Sequence, residues 1–295
     1  MRVACPARLA RTAVMGLAAI LPLGPAARAE QLPLWEAGAG IAAISFPEYR
    51  GSDERRAYIL PVPYLVYRGD FIQVDREKIR GLFFRSDRAE VDVSVNGTVP
   101  LKSEDNQARR GLPDLDPTLE IGPSLNFFLH RSADQKFKDG KFKDEKFKLD
   151  LRLPLRAVIA TDFRRVHHEG WIFQPNLNLD VHDVLGSGGW NLGLLVGPLF
   201  ADRRYHQYIY GVEPTFATPA RPAYNARGGY AGSQFIAAIS KRYPRFWVGG
   251  FLKYDNLNSA VFADSPLVKS KQYFSAGFAV TYVFAHSDKT IDTNN

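Results

Sequence analysis

From Tyr273 to Phe284 the chain alternates without a slip: Phe274, Ala276, Phe278, Val280, Tyr282 and Phe284 fall on one face, Ser275, Gly277, Ala279 and Thr281 on the other. A period of two, ended by aromatics close to the C-terminus, is the pattern of a strand that closes a membrane β-barrel. The same alternation recurs upstream. Between Lys146 and Phe163, Phe147, Leu149, Leu151, Leu153 and Leu155 oppose Lys146, Lys148, Asp150, Arg152 and Arg156. Glu90, Asp92, Ser94 and Asn96 oppose Val91, Val93 and Val95; Glu120, Ser124 and Asn126 oppose Leu119, Ile121 and Leu125; Asn176, Asn178, Asp180 and His182 oppose Leu177, Leu179 and Val181. In a barrel each polar set points into the lumen, so Glu90, Asp92, Glu120, Lys148, Arg152, Arg156, Asp180 and His182 are expected to line it.

Weaker alternation marks Trp35–Phe46, Arg56–Arg68, Asp70–Arg85, Trp190–Phe200, Arg204–Val212, Gly229–Lys241 and Arg245–Asn256. With the stronger segments, these predict an all-β fold: a transmembrane, antiparallel, up-and-down barrel of about 12 strands, bacterial barrels having even strand numbers. The last strand is placed near 272–284 and a short polar tail at 285–295. Tight turns at Arg68–Asp70, Ala201–Arg203 and Arg242–Pro244 interleave with longer loops at Pro47–Arg55, Ser132–Glu145, Glu213–Gly228 and Leu257–Lys271. Short turns facing the periplasm and long loops facing outward put both termini on the periplasmic side. Lys102–Pro117 breaks that order: either the count is off by a hairpin between Asp70 and Arg85, or counting strands places this long polar loop on the periplasmic side. Its Glu104, Asp105, Arg109 and Arg110, with Leu112 and Leu115, then make a candidate surface for a periplasmic partner, combining charge steering with an apolar anchor. The interruption at Asp75–Lys78 reads as a bulge or a turn.

The N-terminus changes the picture of the compartment. Arg2, Arg8 and Arg11 precede an apolar stretch from Thr12 to Leu23 and then Ala27-Arg28-Ala29, the form of a secretory signal cut after Ala29. Residues 1–29 are accordingly expected to be a cleaved signal peptide and residues 30–295 an outer-membrane barrel domain, in the Gram-negative outer membrane. Without the signal's four arginines the formal net charge falls from +7 to +3, and nucleic acid is a poor partner for so weak a charge. The only cysteine, Cys5, leaves with the signal, and with it any disulfide or thiolate metal site. Trp35, Tyr64, Tyr67, Trp171, Trp190, Tyr208, Tyr210, Trp247, Tyr254, Tyr282 and Phe284 fall near expected strand ends, where amphipathic rings mark the two membrane interfaces.

Little in the sequence points to chemistry. The histidines His130, His167, His168, His182, His206 and His286 stand in no recognisable spacing with a serine nucleophile. His167-His168-Glu169 cannot easily share one ion, since neighbours on a strand point to opposite faces. No catalytic residue, metal or cofactor is assigned. The repeat Gln135–Lys148 holds three copies of Lys-Phe-Lys; as an outward loop it is either a solvated tip or, with Arg50, Arg55, Arg56, Arg221 and Arg227, a cationic aromatic surface for lipopolysaccharide.

An ordered set of short motifs runs along the chain: Pro47-Glu48-Tyr49-Arg50-Gly51-Ser52, Leu60-Pro61-Val62-Pro63-Tyr64, Tyr210-Gly211-Val212, Tyr224 to Tyr230, Asp264-Ser265-Pro266-Leu267-Val268 and the closing Tyr282-Val283-Phe284. In order and spacing it resembles the MltA-interacting protein/OmpV family of outer-membrane proteins. The resemblance implies a scaffold that holds a murein lytic transglycosylase together with a penicillin-binding synthase, and it brings no catalytic residues. The alternatives left open are a narrow pore, an adhesin-like surface protein and, third, a lipid-modifying enzyme.

Overall fold

The computed structural model describes residues 31–68, 72–74, 79–81, 84–132, 146–162, 164–186 and 188–292. The expected signal, the interruption at Asp75–Lys78 and most of the Lys-Phe-Lys repeat lie outside the described residues. Sixteen strands and one α-helix appear: β1 (Gln31–Pro33), β2 (Trp35–Pro47), β3 (Arg55–Arg68), β4 (Ile72–Val74), β5 (Ile79–Gly81), β6 (Phe84–Arg85), β7 (Ala89–Thr98), β8 (Thr118–Arg131), β9 (Phe147–Thr161), β10 (Val166–Phe173), β11 (Asn176–Val181), β12 (Trp190–Ala201), α1 (Arg203–Tyr210), β13 (Gly229–Arg242), β14 (Phe246–Asn256), β15 (Gln272–His286) and β16 (Thr290–Asp292).

Each long strand pairs with its neighbours in the chain, antiparallel throughout, and β15 closes on β2 with Val280 opposite Ile41. The sheet then runs from β5 at one end round to β6 at the other. Those two ends are adjacent in the chain, so the sheet is an up-and-down barrel. β10 and β11 together occupy the one position between β9 and β12, broken at Gln174-Pro175. With them counted together, and β5 with β6, the ring has twelve members.

The expected total survives through two corrections that cancel. Arg204–Val212 is not a strand but the helix α1, started by Asp202, whose side chain accepts from Tyr205 N at 2.9 Å. Its buried residues Tyr205, His206, Ile209 and Tyr210 recur at helical rather than strand spacing. Asp70–Arg85 is not one strand but a hairpin, with β4 turned back against β5. Between the two errors every strand was assigned the wrong direction. As a result Lys102–Pro117, expected at the periplasmic end, lies at the same end as 48–54, 202–228 and 257–271. The Lys-Phe-Lys segment, expected among the outward loops, joins β8 to β9 at the opposite end, where Ser132 N bonds Phe147 O. The first and last described strands meet at that end too: β15 runs on to His286, and β16 within the expected tail pairs with β1.

The faces are as the alternation predicted. Leu119, Ile121, Leu125, Phe127, Leu155, Trp171, Phe173 and Leu177 are exposed on the outside, with Ile41, Ile239, Leu252, Phe274 and Phe278 round the ring. An apolar band on that scale is far larger than a soluble monomer tolerates. The expected interfacial aromatics divide. Trp35, Trp171, Tyr282 and Phe284 are exposed, whereas Tyr64 and Tyr210 are buried.

Candidate functional site: a capped and filled lumen

The lumen-facing positions carry charges of both signs, and burial forces them to pair. Glu90, Asp92, Glu120, Asp150 and Arg156 are each at most 5% exposed, so the interior is packed rather than open. Arg156 on β9 holds Glu120 at 3.0 Å, Ser94 at 3.2 Å and Gln174 at 2.7 Å. Gln174 passes the chain of bonds to Gln234, and Gln234 to Asp255, at 2.8 and 3.1 Å. Asp255 is fully buried between Lys253 and Arg50. Lower down, Asp150 collects Lys148 and Arg152, while Arg152 also reaches Asp180 at 3.5 Å. At the terminal end Arg242 of β13 pairs with buried Glu36 of β2 at 2.9 Å, across two intervening strands, and Tyr64 donates to the same carboxylate. Seven of the eight expected lumen residues thus face inward. His182, the eighth, sits exposed at the rim just past β11, where it bonds Asn191.

Above this interior the long loops fold into a cap with its own apolar core. Tyr210 of α1 stacks on Phe262 at 3.7 Å and 11°, and Tyr49, Leu101, Leu112, Leu115, Leu257 and Leu267 pack around them. Hydrogen bonds tie the loops together: Tyr49 Oη donates to Leu267 O at 2.6 Å, Tyr210 Oη to Arg50 O at 2.8 Å and Ser265 Oγ to Tyr210 O at 2.9 Å. Asn106 Nδ2 donates to Glu48 and Ser52. Arg50 is the link from cap to barrel, descending from loop 48–54 to Asp255.

Of the residues expected to form a partner surface, Arg109, Leu112 and Leu115 are buried inside this cap, while Glu104, Asp105 and Arg110 are exposed on it. Arg109 is buried and donates to Ile209 O, Pro113 O and Ser103 Oγ, with its guanidinium over the Tyr49 ring; burial lowers its pKa. Leu112 and Leu115 are core, Asp105 pairs with Arg56, and Glu104 accepts from Gly111 N. Arg110 alone of the six is an exposed charge whose side chain meets no partner among the described residues. The cationic set imagined for lipopolysaccharide is likewise depleted, with Arg50 on Asp255, Arg56 on Glu48 and Arg221 on the carbonyls of Ala108, Arg110 and Phe216. A cleft of about 700 Å³ remains between loop 109–115 and α1, bordered by Arg203, Glu169, Tyr208 and Phe216. Tyr208 accepts from Asp116 N there, and burial pushes its hydroxyl up to about 12.

Sequence reasoning missed His206. It is fully buried, donates from Nδ1 to Arg227 O at 2.7 Å and meets Phe262 edge-on at 4.7 Å, leaving Nε2 without a partner. Burial depresses its pKa, so it is held neutral. A histidine whose folded value lies below its unfolded value of about 6.5 takes nothing from stability above that pH, and withdraws stability as pH falls through it, because the unfolded chain takes up the proton first. The cap's resistance to proteolysis is therefore expected to weaken as pH is lowered from about 7 to about 5, and His206→Gln to flatten that dependence. Among the described residues no group of three His, Cys, Asp or Glu side chains is placed to hold a metal ion.

The sequence model of the family described as "MltA-interacting protein MipA" matches residues 39–284. No curated protein sequence matches the chain. Among solved structures, a bacterial polysaccharide outer membrane secretin is 9% identical over 85% of this chain and 99% of its own, with a TM-score of 0.39. An outer membrane channel from Pseudomonas putida F1 is 11% identical over 88% of this chain and 100% of its own, with a TM-score of 0.43.

Proposed function

The chain belongs to the MltA-interacting protein MipA family, and from that premise we propose that it is a Gram-negative outer-membrane barrel that anchors a murein lytic transglycosylase and does not conduct. The observation that carries this reading is the filled lumen. Paired charges occupy it at three levels, Glu36–Arg242, Glu120–Arg156 and Asp255–Arg50, and the loops close its mouth. A pore would leave such charges facing water; here they face one another. The exposed apolar band supports the membrane setting, and the family's printed name supports the enzyme as partner.

In this reading the partner surface lies at the other end of the barrel from the loop first expected to carry it. Murein enzymes reach only the face toward the murein. With long loops outward, that face is the terminal end, carrying the β1–β16 ribbon and the connection from β8 to β9. Lys102–Pro117, first assigned to this role, belongs to the cap. Deleting residues 287–295, which removes β16, is expected to leave the barrel folded and to abolish co-purification of the lytic transglycosylase from solubilised envelope. Replacing Lys102–Pro117 by a short linker should leave co-purification intact wherever the barrel still folds. The opposite pattern would return the loop to the interface. A penicillin-binding synthase in the same pull-down would extend the reading to a two-enzyme scaffold.

A further inference from the structure

The cleft between loop 109–115 and α1 has walls fixed by their own bonds. Arg109 donates to Ile209 O at 2.6 Å and to Pro113 O at 3.1 Å, and Tyr208 accepts from Asp116 N at 2.8 Å, so loop and helix are held at a set spacing. The floor, Arg109, Leu112 and Leu115, is buried, whereas the rim, Asp114, Arg203, Arg204 and Glu213, is exposed. At about 700 Å³ the space lies within the range of small-molecule sites, about 300–1,000 Å³. Much of the polar lining is unspent. Arg203 and Glu213 meet no partner among the described residues. Asp114 commits Oδ1 to Ser103 N and Gln207 commits Oε1 to Ala226 N, which leaves Oδ2 and Nε2 over. Glu169 and Arg204 stand 3.9 Å apart, too far for a hydrogen bond.

We infer that this cleft binds a short oligosaccharide without net charge. Three arginines meet four carboxylates in the lining, so neither a phosphate nor an ammonium finds a field of one sign. A pyranose matches what is there. Its hydroxyls donate to the Glu213 and Asp114 carboxylates and accept from the Arg203 guanidinium and the Gln207 amide. Its C–H face, faintly positive, suits the negative faces of the Tyr208 and Phe216 rings, which line the same cleft. Other classes lack a foothold. A peptide laid along the loop would seek main-chain bonds, and those are taken: Leu115 pairs both ways with Leu101, Pro113 O holds Arg109 and Ser103 Oγ, and Leu112 N bonds Arg109 O. An acyl chain would have to pass four charged rim residues to reach a floor of two leucines. Neither the cleft nor its ligand depends on which way the barrel faces in a membrane.

The test uses the folded mature chain, purified free of lipopolysaccharide in a detergent without a sugar head, each variant first checked for folding by its heat-modifiable gel mobility. Isothermal titration is run with maltotriose, triacetylchitotriose and a neutral O-antigen repeat unit. At least one should bind saturably, one per barrel, and inorganic phosphate should not compete. Which probe binds best separates a diffusing glucan, a murein-type chain and lipopolysaccharide as the source. Arg203→Ala and Glu213→Gln should each weaken the binding about tenfold, the loss of one hydrogen bond to a charged group. Arg110→Ala, an exposed charge on the same loop outside the lining, should leave it unchanged. Saturable binding of none of the three sugars, equal affinity in all four proteins, or displacement by phosphate would overturn the inference.

Discussion

Asp255→Ala is expected to destabilise the folded barrel by about 3–5 kcal/mol, the cost of breaking a buried ion pair from one side. Asp255 has no exposed surface, and its carboxylate serves Arg50 from the cap, Lys253 from its own strand and Gln234 from β13. Removing it strands two cations in the interior. Arg50→Ala should cost less, because Lys253 then still compensates the carboxylate, but it cuts the tie between loop 48–54 and the barrel. Urea unfolding of the two variants in lipid should rank them in that order. Equal, small losses would mean that water reaches Asp255 and the lumen is less filled than described.

Gly170→Ala should cost about 3 kcal/mol, combining backbone strain with loss of a helix cap. Gly170 sits at the register shift within β10 with φ of +114°, a conformation L-residues avoid. A Cβ there would stand 2.1 Å from Asp202 Oδ1 and 2.8 Å from Tyr205 N. It would strike the side chain that starts α1, so cap and strand would be lost together. The measurement is native-state hydrogen exchange: amides of α1 should lose protection before those of β13 and β14. Unchanged protection of α1 would show that the cap is held without that contact.

The barrel was legible because its signal is a period of two repeated over long strands, and burial acts on every second residue in turn. Arg156, Glu120 and Asp255 show the limit. Alternation tells that a residue faces inward, but the partner across the lumen depends on stagger, which no single strand records. Direction was lost where local patterns are ambiguous. Tyr205, His206, Ile209 and Tyr210 mix apolar and polar positions closely enough to read as a strand, although Asp202 three residues before Tyr205 was an available N-cap signal. The interruption at Asp75–Lys78 allows a hairpin between Asp70 and Arg85 as well as a bulge, and the hairpin alternative is the one that puts Lys102–Pro117 in the cap. That loop was read as polar from its charges, yet Leu101, Ser103, Asn106, Arg109, Leu112 and Leu115 are buried, every third residue or so in a tightly turned segment. His206 carried no motif at all. Its environment is built from Arg227 and Phe262, distant in sequence.

The account stands on a barrel whose interior is closed by its own side chains. Planar-bilayer recording of the folded mature protein tests this most directly. No steady conductance is predicted at neutral pH, because Glu36–Arg242, Glu120–Arg156 and Asp255–Arg50 occupy the lumen at three levels beneath a folded cap. Stepwise, ohmic currents from the unmodified protein would contradict it and make the chain a pore.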